Sequence, residues 1–367
     1  MKFTKFFALV AATVAMFAAC TPGGDATTAT GDITLSAETV VEVNTPIHFV
    51  VKDSSGANVT NGATIYDKSH DFAQVENPFT PTVDGDYTFY AVVGDAISKD
   101  FKVTVTPEVP ALPEDTDAAN TSFKHRILLV DHTGNTCGYC PQMMKALETV
   151  SKTGDYHTKY YEAMAHTYSN GDPAFSGAAS LVSNHHGVSS YPTLTYNFYH
   201  TTQSSYNDAH IMGQIDALWK AEGADAGIAA AATLASKSVI VNTEVKAAVA
   251  NDYRITAWLL EDGIYAKQTN ATEEWMNTHN NAIRQRVSSD DISGVDLGTL
   301  AVGETKSTAL TLNIVGNKWN RDNLKVMVIV SAKNAKGQFE VANVAICPMN
   351  DVVTYDYKLL IHIYKLI

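Results

Sequence analysis

Two kinds of hydrophobic spacing alternate along the chain. Between residues 33 and 105 the apolar residues come in short runs, at 33–36, 47–51, 63–66, 87–93 and 101–105. Turn signals divide them, at Asp53-Ser54-Ser55-Gly56, Asn61-Gly62, Asp84-Gly85 and Gly94-Asp95. Short strand-like runs at this spacing predict an all-β sandwich. At residue 127 the period lengthens. An apolar run over 127–130 breaks at Thr133-Gly134, and Met143, Met144, Leu147 and Val150 then recur at helical spacing, which reads as strand, turn, helix. Residues 160–165 and 194–198 predict two further strands, 177–182 part of a helix and 207–219 another. Beyond Ala226 the strand pattern returns, at 228–235, 239–248, 253–261, 307–314, 324–330 and 339–346. Val241, Thr243, Val245 and Ala247 alternate there with Asn242, Glu244 and Lys246, as on a half-buried strand. A second β-sandwich is expected.

Punctuation between these blocks sets the domain boundaries. Residues 108–122 carry prolines and acids and no long apolar run, the composition of a semi-rigid linker. Residues 266–303 form a long connection containing Trp275, His279, Asn280, Asn281, Arg284 and Arg286. It is too long for an empty turn. It either reaches the thiol site or a partner, or covers the sandwich edge as a partly helical excursion.

At the N-terminus Lys2 and Lys5 precede an apolar run that ends at Cys20, after which Thr, Pro, Gly and Asp take over. A charged start, a short apolar middle and a small-residue end make residues 1–19 an export signal. Phe17-Ala18-Ala19-Cys20 resembles the lipobox of bacterial lipoproteins, which implies a lipid on Cys20, with residues 20–31 as a tether; an ordinary secretory peptide leaving a free thiol is the alternative. The net charge is −13. Loss of residues 1–19 removes two lysines and no acid, giving −15. With no basic stripe to neutralise phosphates, nucleic acid is not expected as a partner. Three cysteines besides Cys20 are too few for a disulfide-stapled scaffold.

The chemistry concentrates at Cys137-Gly138-Tyr139-Cys140. Pro141 suits the first turn of a helix, so the pair should stand at a helix N-terminus, where the dipole favours thiolate, the nucleophile of disulfide exchange. A CxxC between a strand and a helix is a fairly specific redox signal, with half of a metal site as the alternative. Here the apolar run, Asp131, and six steps to Cys137 resemble thioredoxins. That resemblance implies a buried Asp131 serving as general base for Cys140 and a cis-proline at Pro192, with Tyr191 docking a substrate backbone. The alternatives are a solvent-facing strand-end acid and a trans loop proline. Thr136 and Gly138-Tyr139 depart from the thioredoxin residues, so the redox direction stays open; the tyrosine is similar to that of glutaredoxins. The loop over 168–175 is read as a surface excursion that could also shape a substrate groove. His132 is read as a polar position without a role, and Cys347 as a buried free thiol or a relay to the CxxC. Histidines 157, 166, 185, 186, 200 and 210 form no recognisable ligand pair, so no metal and no cofactor is expected.

Residues 79–91 look like the strand-turn-strand of bacterial immunoglobulin-like modules, for which a ligand-binding or adhesive role and a plain spacer are both open. The order of segments, with 131–141, Tyr191-Pro192-Thr193, Leu259-Leu260-Glu261-Asp262-Gly263-Ile264 and His279-Asn280, resembles outer-membrane-protein-28 type lipoproteins. The expected architecture is therefore multidomain: signal 1–19, tether 20–31, immunoglobulin-like β-sandwich 32–107, linker 108–122, α/β thioredoxin-like domain 123–223, C-terminal β-sandwich 224–349 and a tail, 350–367. The resemblance implies an outer-membrane lipoprotein, on the periplasmic face or the cell surface. Two functions remain. One is thiol-disulfide exchange with protein partners through Cys137 and Cys140, with Asp131 moving the proton and Gly138, Tyr139, Tyr191 and Pro192 meeting the substrate. The other is a binding or adhesion lipoprotein in which the disulfide is structural.

Overall fold

The computed structural model describes residues 28–203, 206–315 and 318–358. The signal, Cys20 and the last residues of the tail lie outside them. The chain divides into two compact units, one running to Thr82 and resuming over Asp86–Val105, the other taking Val83–Gly85 and everything from Thr106.

The first unit is built from a two-stranded and a six-stranded sheet around one core. Ile33–Ser36 pairs with Val50–Asp53, and Phe101–Thr106, Gly85–Val93, Thr64–Asp67 and Ala73–Val75 stand in that order within a six-stranded sheet. Alternation decides which side chains go inside: Tyr87, Phe89, Ala91 and Val93 are buried, while the residues between them are partly exposed. Phe49 packs edge-on against Phe89 at 4.8 Å in that core.

The second unit is organised by a nine-stranded mixed sheet. Its order runs from His200–Gln203 through Thr193–Tyr196, Ile127–Thr133, Tyr160–His166, Ala282–Arg286, Asn251–Glu261 and Leu324–Lys333 to Phe339–Pro348, with Val295–Leu300 also on Asn251–Glu261. Segments 123–223 and 224–349 thus both contribute to one sheet. The strand between them is Ala282–Arg286, which the sequence pattern hides inside the long connection. Its Ala-Ile-Arg-Gln-Arg reads as polar, yet Arg284 is buried, its Nε donating to Glu261 Oε2 at 2.6 Å and one terminal nitrogen to the Pro173 carbonyl at 2.9 Å.

Three α-helices cover the sheet among the described residues: α1 (Cys140–Lys152), α2 (Gly177–His185) and α3 (Asp208–Leu218). α1 and α3 bury Met143, Leu147, Val150, Ile211 and Ile215 against Ile127, Leu129 and Tyr160. α2 covers the opposite face, where Ala179 and Val182 meet Leu128, Val130, Trp258 and Ile329. A four-stranded sheet, Thr305–Asn313, Ser238–Ala247, Ala226–Leu234 and Asp351–Val353, shares a third core with the Asn251–Glu261 end of the large sheet. Cys347 sits in that core as a buried free thiol, its pKa pushed up to about 11 by burial and the nearby Asp351 charge.

Two other segments are more ordered than their composition suggests. Within the linker, the Pro110 carbonyl accepts from Asn242 and Asp115 pairs with the buried Lys246 at 2.9 Å. In the tail, Asp351–Val353 adds a strand, and Tyr357 stacks on Phe123 at 5.1 Å.

Candidate thiol site

The site begins with a strand that is buried along its whole length, Ile127–Thr133. Alternation sends Leu128 and Val130 toward α2, and Ile127 and Leu129 toward α1. Asp131 shares the parity of the α1 side and is fully buried, opposite Met164 on one neighbour and Leu194 on the other. Among the described residues no group hydrogen-bonds either of its carboxylate oxygens. Burial, and then the negative charge of Glu162, hold its pKa well above the usual carboxylate range. Asp131 is therefore not the solvent-facing acid that the strand end also allowed.

The chain then turns tightly. The Cys137 amide donates to the Gly134 carbonyl at 3.0 Å, and only glycine fits at 134, because a Cβ there would meet Tyr168 Cβ at 2.6 Å. Cys137 and Cys140 are joined in a disulfide, with Cα atoms 5.4 Å apart. Cys140 opens α1, with Pro141 in the first turn as its missing N–H permits. Both cysteines are buried, Cys137 at 1% relative exposure and Cys140 at 0%, whereas Tyr139 between them is 64% exposed.

The Tyr191-Pro192 peptide bond is cis. The register Thr193↔His132 brings Pro192 to the end of the sheet from which the chain departs toward Cys137. A chain of polar contacts runs behind it. Tyr191 Oη meets Thr167 Oγ1 at 3.0 Å, Thr167 meets Ser183 Oγ at 3.0 Å, and Ser183 meets His132 Nδ1 at 2.8 Å, with His132 Nε2 3.0 Å from Thr195 Oγ1. His132 thus ties α2 to the sheet. Burial, then the neighbouring His186, push its pKa down to about 3, so it stays neutral.

The long connection does reach the thiol turn. After Glu261 the chain rises as a narrow hairpin, Ile264–Tyr265 paired with Thr278–His279, and its tip seats on the CxxC backbone. Gln268 Nε2 donates to the carbonyls of Cys137 at 3.0 Å and Gly134 at 3.4 Å, and Asn270 Nδ2 to that of Gly138 at 3.1 Å. The Thr269 amide donates to the Asn135 carbonyl at 2.7 Å. The 168–175 loop supports the same turn, for Asp172 Oδ2 accepts from the Asn135 amide at 2.7 Å and from His166 Nδ1 at 2.8 Å. Burial works against that carboxylate, but the His166 contact and the two backbone donors hold its pKa down at about 2. Sequence reasoning missed Gln268, Asn270 and Asp172, since a lone amide or acid in a loop carries no spacing signal.

Beside α1 opens a cleft of roughly 410 Å³, walled by Met144, Leu147, Glu162, Met164 and Trp275 among others. Glu162, on the same side of its strand as Met164, has its pKa raised by burial to about 7, against the opposing Lys325 charge. Among the described residues no group of three or more His, Cys, Asp or Glu is placed to hold a metal ion, and no helix is long and apolar enough to cross a membrane.

Fold and site together define a β-rich protein of several sheets in which a helix-capping CxxC disulfide is clamped by a hairpin arm. Residues 179–350 match the family described as outer membrane protein Omp28, a span that holds the arm but not the two cysteines. No curated protein matches the chain. In fold the chain is similar to HBP35 of Porphyromonas gingivalis, at 14% identity and a TM-score of 0.52 over 63% of this chain and 77% of that one. A membrane-anchored protein from Corynebacterium diphtheriae, described as putative, is matched at 8% identity and a TM-score of 0.22, over 90% and 62% of the two chains.

Proposed function

We propose that the chain is an outer-membrane-anchored lipoprotein, held by lipid on Cys20 on the periplasmic face or cell surface, that exchanges disulfides with protein partners through Cys137 and Cys140. The observation that carries this reading is a CxxC disulfide at the N-terminus of α1, together with a buried Asp131, without a hydrogen-bond partner among the described residues, on the strand that leads into it. The strand, turn and helix around it, with the cis Tyr191-Pro192 bond at the same sheet end, support a thioredoxin-like role for residues 123–223. The match to Omp28 supports the outer membrane as the location.

In the exchange, a partner thiolate attacks Cys137 Sγ and the Cys137–Cys140 bond breaks, its electron pair leaving on Cys140 Sγ. Cys140 then takes a proton, by way of Asp131. The partner's second thiolate attacks its own sulfur in the mixed disulfide and releases Cys137. The partner has lost two electrons to the pair, and the reverse sequence reduces a partner disulfide. Tyr139, Gly138 and the Tyr191-Pro192 backbone are the surfaces a partner peptide meets. A Cys140→Ser variant stops the reverse sequence at the mixed disulfide. Expressed in cells, it is expected to accumulate partner proteins bound through Cys137, and their absence with the variant folded would refute exchange.

The burial of both cysteines favours a second reading, a binding lipoprotein whose disulfide is structural. A reduction potential below about −300 mV would select it, as such bonds resist reduction by thiol pools.

A further inference from the structure

We infer that the hairpin arm, residues 262–281, is a gate over the disulfide, with Gln268 and Asn270 as the positioning residues that latch it shut. The inference rests on the exchange reading. A disulfide that reacts must be reached by an attacking thiolate, and here neither cysteine is exposed.

Three observations single out the arm as the part that moves. Its hold on the turn is local: the two side-chain amides reach the Gly134, Cys137 and Gly138 carbonyls, and one main-chain bond runs from Thr269 to Asn135. Residues with positive φ bracket and interrupt it, Gly263 at +70°, Asn270 at +61° and Asn281 at +57°, conformations that mark bends rather than ladder. Its seat is also poorly satisfied. Gln268 Oε1 and His279 Nδ1 on the arm, Asn135 Oδ1 on the turn and His166 Nε2, whose ring packs edge-on against His279 at 4.7 Å, are buried without a hydrogen-bond partner among the described residues. His279 Nε2 donates to the Ala266 carbonyl, and burial pushes the pKa of that ring down to about 4, so its free Nδ1 is an acceptor, as are both oxygens. Lifting the arm hydrates these groups, which works against the cost of breaking the latch bonds and of exposing the buried Met276. Trp275 at the tip, Tyr265 on the stem and Tyr139 on the turn are exposed and offer a protein partner a hold on the arm.

The test follows reduction of the disulfide in the purified full chain by a small dithiol, trapping freed thiols with a mass-tagged alkylating reagent. Gln268→Ala with Asn270→Gly, glycine keeping the positive φ at 270 without strain, is expected to speed reduction about tenfold, equivalent to about 1.4 kcal/mol less to open the arm, with the melting temperature nearly kept. Asn270→Gly alone, which removes a solvent-exposed bond, is expected to show part of the gain and serves if the double variant fails to fold. Unchanged reduction rates in the folded variants would overturn the gate. This outcome is separable from failure of the exchange reading, because an empty Cys140→Ser trap says nothing about how fast a small dithiol reaches the pair.

Discussion

At the residue scale the strand leading to the thiol turn holds one carboxyl placed where water cannot solvate it. Asp131 is fully buried with neither oxygen hydrogen-bonded, and its raised pKa means that the folded chain keeps a proton that the unfolded chain releases above the usual carboxylate range. Its contribution is intact below that range and lost as pH rises through the raised value. Asp131→Ala is therefore expected to match the parent near pH 4 and to exceed it by on the order of 1–2 kcal/mol near pH 8, read by thermal melts at the two pH values. Thiol exchange should slow in the same variant. The buried histidines act in the opposite sense. His132 and His279, held down at about 3 and about 4 chiefly by burial, destabilise the fold as pH falls below the usual histidine range, so the Asp131 effect is read against the parent at each pH. The Cys137–Cys140 pair is legible in the sequence from its spacing, and the burial of Asp131 and the cis bond before Pro192 only through the resemblance to thioredoxins. Gln268 and Asn270 are not, because their partners are carbonyls 131 and 132 residues away.

At the scale of elements, helical spacing located the three helices of the described residues, and apolar runs or alternation the long strands, to within a few residues. That patterning failed at Ala282–Arg286, where a buried ion pair replaces apolar side chains. Glu261 accepts there from Arg284 and from the Asn320 amide, with both side chains about 4% exposed. Arg284→Met strands the Glu261 charge and should cost about 3–5 kcal/mol. Chemical denaturation measures this, and Glu261→Gln in the same chain should recover part of the loss. The 168–175 loop was likewise read as an excursion, whereas its Asp172 is a fastener for the thiol turn.

At the scale of the whole molecule, the sheet joins what the composition divides. Trp258, Leu260, Met327 and Ile329 lie in one cluster with Leu128, Val130 and α2, so residues 123–223 cut out alone would expose that face. That fragment is expected to give no cooperative melt, while residues 106–367 melt in a single transition; a folded 123–223 fragment by circular dichroism and hydrogen exchange would contradict this. The joint could not be read from sequence, because it rests on a register, Met164↔Ala282, between segments far apart in the chain.

The arm also follows the cysteines by 131 residues. In a chain that emerges N-terminus first, the sulfurs meet their surroundings before the part that shuts them in has been delivered. The Cys137–Cys140 bond therefore has time to form before Gln268 and Asn270 exist to hold the turn, so the pairing of the sulfurs need not wait for the arm.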